Sequence, residues 1–231
     1  MEGLHEVLLT DMIGIPVDVI PHHVSYGILA SIILVATALT IRGSLRLIPR
    51  GFQNFLEVVI QAILSLVEDN IGHKWGRQLF PFICTIFLYI LVCNLMGLVP
   101  GFTAATANVN TNAGMAIPVF IATHIYGIRI HGIKYLNHFL GPIRSPAAIV
   151  LMLLMFVIEF IGHIARPLTL TVRLFGNMVA KHILLLVLAI LAPLLIPGLI
   201  LALGLLVSVV QAFVFTLLST LYLAGAVEEA H

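Results

Sequence analysis

The stretches Val24–Ile41, Leu79–Val99, Ile183–Ile196 and Leu199–Val227 contain no Asp, Glu, Lys or Arg. A helix needs roughly 20 apolar residues to cross a bilayer, and several of these runs approach or exceed that length. The rest of the chain does not compensate: of its 231 residues, 61% are hydrophobic and 9% charged, against about 25% charged in an ordinary soluble domain. Such a chain cannot cover a water-facing surface. A membrane β-barrel is excluded as well, because its strands alternate apolar and polar residues, whereas these runs are continuous. The expected fold is all-α: a polytopic helical membrane protein with about five membrane-crossing helices, an interfacial amphipathic helix and a long tilted helix hairpin in the C-terminal half.

The whole chain, 1–231, reads as one membrane domain. A segment 1–23 precedes the first span, 24–41. The loop 42–78 carries Arg42, Arg46, Arg50, Lys74 and Arg77. Within it, Phe52–Asn70 has helical period: Gln53, Glu57, Gln61, Ser65 and Glu68 fall on one face and Leu56, Val59, Ile63 and Leu66 on the other. That pattern predicts an amphipathic helix lying on the membrane or on another subunit; half of a transmembrane hairpin is the alternative. A central helix pair occupies 79–145, its members joined by the Gly-, Thr-, Ala- and Asn-rich loop Pro100–Asn112. The hairpin fills 146–231. Basic residues gather in the loop 42–78 and again at Arg129, Lys134 and Arg144, while the first segment, the 100–112 loop and the turn near Pro193–Pro197 have none. The positive-inside rule then places the N-terminus outside and, after five crossings, the C-terminus in the cytoplasm. No signal peptide is expected, since the first residues lack a basic region. The net charge of +1 offers no basic block for nucleic acid. Cys84 and Cys93 fall on opposite sides of a helix and are expected to be free thiols. His124, His131 and His138 form no ligand set, and no metal or cofactor is expected.

The segment 146–191 would be roughly 69 Å long as one helix, more than twice the roughly 30 Å of a hydrocarbon core. Its one interruption signal is Pro167, which kinks a helix without ending it. A single long, tilted helix is predicted. Counting about 100° per residue from Glu159, His163 falls at about +40°, Arg166 at about −20°, Arg173 at about −40°, Asn177 at about 0° and Lys181 at about +40°. These groups share one arc, which must meet protein or water rather than lipid. Each of the three cations costs about 2.5–3.5 kcal/mol to place in a membrane. Intramembrane ion pairs that only hold helices together are one explanation. Arg173 fits it poorly, because Glu159 is roughly 21 Å away along the helix. A guanidinium stays charged at any working pH, and a carboxylic acid brought against it readily loses its proton. On the last helix Gly204, Gln211, Leu218 and Tyr222 share a face, with Gln211 its single amide; a lone packing amide is the alternative there.

These residues carry a resemblance. ARPLTLTVRLFGNMVAKHILL (Ala165–Leu185), QAFVFTLLSTLYL (Gln211–Leu223), FLYILVCNLMGLVPGFTAATANVNTN (Phe87–Asn112) and IPRGFQNFLEVVIQ (Ile48–Gln61) closely resemble, in order, segments of the F-type ATP synthase subunit a family. The resemblance implies a non-catalytic, ion-translocating stator subunit of the membrane sector, set beside a rotating ring of subunit c. Each ring protomer carries an embedded carboxylate, and protons pass through two half-channels. By likeness, Arg173 separates the half-channels and meets the ring acid, Asn177 lies near the same interface and Gln211 faces Arg173. Glu159 belongs to the cytoplasmic half-channel, with His163 on the same face, and His182 to the outer one. Further implied partners are the subunit b peripheral stalk and, indirectly, the F1 sector; the implied location is a bacterial inner membrane. Three positions depart from the family pattern. Lys181 stands where members often hold Gly, Gly204 where many hold His or Glu, and Asn108 where an acid is common. Lys181 is expected to tune the outer path. A stand-alone proton-coupled secondary transporter and a structural anchor are the competing functions. The first is disfavoured because no internal repeat is seen, the second because it leaves the polar arc unexplained.

Overall fold

The computed structural model describes residues 21–99, 102, 104–132, 135, 149–191 and 196–227. The segment 1–20, Pro100, Lys134, His138, Arg144, the turn 192–195 and the tail 228–231 lie outside the described residues. Among the described residues there are six α-helices and one short 3₁₀ turn: α1 (His22–Ser44), α2 (Phe52–Ile71), α3 (His73–Met96), the turn Ala105–Ala107, α4 (Val109–His131), α5 (Ile149–Leu191) and α6 (Ile196–Val227). All but α2 are long and apolar enough to span a membrane, and no strand occurs among the described residues.

Local sequence explains where the helices begin and end. Pro21 precedes the first turn of α1, and Pro197 falls in the first turn of α6, where a missing N–H costs nothing. Asn108 caps α4 by accepting the Asn110 N–H at 2.8 Å. Gly72 alone joins α2 to α3. Its φ of 84° lies in the region that only glycine enters freely, and its N–H bonds the Glu68 carbonyl at 2.8 Å. The sequence suggested a span beginning at Leu79, yet α3 begins at His73. Its polar first turns are held by Glu68, which takes Arg77 Nε at 2.8 Å and His73 Nδ1 at 3.0 Å.

The amphipathic α2 packs on α3 and α6. It buries Ile63 and Val67 and leaves Phe52, Phe55 and Val58 exposed. One core joins Val67, Leu79, Ile83, Phe87 and Ile90 to Leu170 and Leu174 of α5 and Phe215 and Leu223 of α6. A smaller cluster fixes α1 to α3 through Tyr26, Ala30 and Cys93. Both cysteines are buried and free. The segment after residue 148 is one unbroken helix of 43 residues with Pro167 inside it. Only a bent or inclined path fits that length into a bilayer.

Candidate functional site

The polar arc of α5 does not point one way. His163, Leu170, Leu174, Met178 and Lys181 are buried, whereas Arg173 and Asn177 are exposed. On the count used above, the buried side of α5 runs from about +20° to about +120°. The polar arc therefore straddles its edge. His163 and Lys181 turn into the protein, and Arg173 and Asn177 stay at the rim.

On the 159–170 side, Glu159 lies against two side chains of its own helix. Its Oε1 lies 3.3 Å from His163 Nδ1 and 3.8 Å from Arg166 Nη2. His163 Nδ1 also lies 3.0 Å from the Glu159 carbonyl. The Arg166 guanidinium sits 5.3 Å from the centre of the Tyr222 ring, a cation–π distance. Pro167 has no N–H to give the His163 carbonyl, and Thr171 Oγ1 donates to the Pro167 carbonyl at 2.8 Å. Where α4, α5 and α6 meet, a cavity of about 10 Å³ is lined by Thr123, His124, His163, Arg166, Pro167 and Tyr222, among others.

Arg173 stands apart. Among the described residues no hydrogen bond or ion pair reaches its guanidinium, whereas the cations before and after it, Arg166 and Lys181, are both engaged. One turn on, the Asn177 amide donates to Gln211 Oε1. Gln211 thus meets Asn177, and no hydrogen bond joins it to Arg173. Gln211 Nε2 is buried with no partner among the described residues, beside a groove of about 510 Å³ between α5 and α6 lined by Asn177, Lys181, Gly204 and Gln211 with apolar residues.

Lys181 closes the buried end of that groove. Its Nζ donates to the Asn94 carbonyl (3.4 Å) and to Ser208 Oγ (3.3 Å), and Ser208 Oγ donates to the same carbonyl (3.4 Å). Asn94 Nδ2 donates to the Ser208 carbonyl at 3.2 Å, and Thr106 Oγ1 donates to Asn94 Oδ1 at 2.7 Å. Asn112 Nδ2 reaches the Thr106 carbonyl at 2.8 Å. A continuous buried polar chain thus runs from the start of α4 to α5 and α6. The sequence reading missed Asn94, Thr106, Asn112 and Ser208. The available signal was Asn94, the lone amide in the charge-free run Leu79–Val99. Gly204 lies against the Lys181 stem: a Cβ there would sit 3.5 Å from Lys181 Cδ and 2.7 Å from Leu98 Cδ2. His182 is half-buried, and Asn108 serves as the α4 cap. No group of three His, Cys, Asp or Glu side chains converges among the described residues.

Five helices long and apolar enough to span a membrane, with His163, Arg166, Arg173 and Lys181 along one of them, describe a polytopic membrane protein with ionisable groups inside its spans rather than an apolar anchor. Comparison with known proteins narrows that class. The profile of the ATP synthase A chain family matches residues 24–224. The chain is 48% identical over 208 residues to ATP synthase subunit a of Geobacter sulfurreducens, covering 90% of this chain and 88% of that one. It is 47% identical to ATP synthase subunit a 2 of Syntrophotalea carbinolica, over 90% of this chain and 87% of that one. ATP synthase subunit a of Trichlorobacter lovleyi is 48% identical, over 87% and 84%. The chain belongs to the ATP synthase A chain family: it is a multi-pass membrane-sector subunit of an F-type ATP synthase, serving proton transport and ATP synthesis.

Proposed function

We propose that this subunit is the stator past which a ring of subunit c turns, and that Arg173 meets the embedded carboxylate of each passing ring protomer. The observation that carries this is Arg173 itself. It lies near the middle of the longest helix, exposed and unengaged among the described residues. A guanidinium remains charged, and a lone charge in hydrocarbon is costly. A carboxylate from a neighbouring chain relieves that cost, and the guanidinium favours the acid's charged form, releasing its proton.

The two ends of the polar arc then serve as the two half-channels. Glu159, His163 and Arg166 form the cytoplasmic path. Asn177, Gln211, Lys181 and His182, with the groove between α5 and α6, form the outer path. The basic loops put the N-terminus outside and the C-terminus in the cytoplasm of a bacterial inner membrane. The exposed face of α2 and the 42–51 loop face subunit b of the peripheral stalk, through which the F1 sector is held indirectly.

The test uses inverted membrane vesicles carrying the whole complex. ATP-driven acidification and ATP hydrolysis are followed with Arg173 and with Arg173→Ala. Loss of pumping with the complex assembled is the expected result. Normal pumping by the variant would make Arg173 structural and overturn the proposal.

A further inference from the structure

His124 is left unused by the half-channel described above, yet it stands at its wall. From α4, its ring lies 5.3 Å from the His163 ring and 4.3 Å from the Phe120 ring, centre to centre. Beyond the end of α4, Tyr135 Oη lies 3.5 Å from His124 Nδ1. Tyr135 is buried and lies so close on α4 that any Cβ at Gly127 would run into its ring. The titratable or charged groups around His124 are His163 and Arg166 on α5, Tyr222 on α6 and Tyr135, with Glu159 beside His163. Both histidines line the cavity of about 10 Å³, the room one water needs. Thr123, His124, His163 and Arg166 bring polar groups to its otherwise mostly apolar lining.

We propose that His124 is a proton-transferring residue of the same path, handing protons between Tyr135 at the end of α4 and the His163–Glu159 pair through one cavity water. The inference rests on the cytoplasmic half-channel reading of Glu159. His163 Nδ1 is committed to Glu159, so exchange with the water falls to Nε2. In the pumping direction the water, protonated from His124, gives a proton to His163 Nε2. The Nδ1 proton passes to the Glu159 carboxylate, and the imidazole is left neutral as its Nε2–H tautomer, so rotation of the ring or return of that proton to Nδ1 precedes the next transfer. No electrons move and no other bond changes.

The test compares passive proton conductance of F1-stripped inverted vesicles containing the complete membrane sector, with wild type, His124→Phe, His124→Gln and Glu159→Gln, normalised to the amount of this subunit. The external pH is varied from about 5.5 to 8.5, across the imidazole range. His124→Phe keeps the ring packing and His124→Gln keeps a hydrogen-bonding group, but neither titrates. Both are expected to lower conductance at neutral pH by about 100-fold, the lower end for a positioned acid–base group, and to change the pH profile in the imidazole range relative to wild type. Wild-type conductance and pH profile in both His124 variants, with Glu159→Gln silent, would overturn this inference alone. Undiminished conductance in Glu159→Gln would overturn the half-channel reading beneath it. If His124→Phe fails to assemble, the pH profile of His124→Gln decides.

Discussion

Lys181 allows charge and packing to be separated by experiment. The residue is 6% exposed, and among the described residues its ammonium has two hydrogen bonds, at 3.4 and 3.3 Å, both to neutral oxygens. Those lengths exceed the usual range for an N–H···O bond of about 2.7–3.2 Å. Bonds to a charged group are worth about 1.5–3 kcal/mol each at good geometry, and long ones fall below that. Taking an ammonium out of water costs several kcal/mol even after relaxation. No Asp or Glu among the described residues forms an ion pair with it. The charge therefore costs the fold about 1–2 kcal/mol net, within the range gained when buried charges give way to apolar residues. Lys181→Met keeps an unbranched stem along Gly204 and leaves Ser208 Oγ donating to the Asn94 carbonyl. Lys181→Ala removes about three methylenes of packing, at about 0.8 kcal/mol each, and widens the groove. Thermal release of the subunit from the detergent-solubilised membrane sector measures the difference. The Met variant is expected to release at a temperature higher by roughly 2–8 °C, and the Ala variant at a lower one than wild type. A Met variant released below wild type would refute the reasoning, because it would mean that the ammonium is held by more than two weak bonds.

Three further outcomes follow from named contacts. Asn94→Leu leaves the Thr106 hydroxyl and the Ser208 carbonyl without their partner, so it should cost about 2–4 kcal/mol; subunit content of the membrane after a temperature step measures it. Gly72→Ala meets no steric obstacle, yet φ 84° with ψ 160° imposes about 1–3 kcal/mol of strain, expected as protease cleavage at the α2–α3 corner at lower temperature. The Arg77 hydrogen bond, aided by His73, holds the Glu68 carboxyl below its ordinary value of 4.5. A carboxyl depressed in the fold contributes stability above 4.5 that disappears as pH falls through the depressed value. Amide hydrogen exchange at the corner, corrected for intrinsic pH dependence, should therefore accelerate in that window in wild type and show no such step in Glu68→Gln.

The helices themselves were legible because spanning runs have no soluble alternative. The bounds of α2 were legible too, since its helical period is flanked by Gly51 and Gly72. The single helix from Ile149 was readable because only Pro167 interrupts it. The start of α3 was not: hydropathy falls off before Leu79, while the helix continues to His73 on ion pairs supplied by the preceding helix. Period also fixed which α5 residues share an arc, but not which of them face inward. That depends on where α4 and α6 dock, and docking is long-range. The Asn94–Ser208 bond joins residues 114 apart in sequence, beyond any local pattern. His124 and His163 meet for the same reason, and neither position alone marks the other.

The offset between the polar arc and the buried face of α5 explains how one helix can hold both fixed and available charge. Had the arc been centred on the buried face, Arg173 would have been enclosed with Leu170 and Leu174, and a partner within this chain would have been needed to keep it there. Had it been centred on the exposed face, His163 and Lys181 would have lost their partners on α4, α3 and α6. With the boundary at about +10° to +20°, residues near +40° are engaged internally and those between about −40° and 0° remain at the rim. A rotation of α5 by about one residue, 100°, would exchange the two sets. Leu174 and Met178, both 0% exposed, oppose that rotation, because it would carry two large side chains out of the core. Each is worth about 1.5–3 kcal/mol buried. Polar substitution at Leu174 should therefore impair proton transport in an assembled complex without altering any ionisable residue. Wild-type transport in Leu174→Gln with the complex assembled would show that something other than core packing sets the angle of α5.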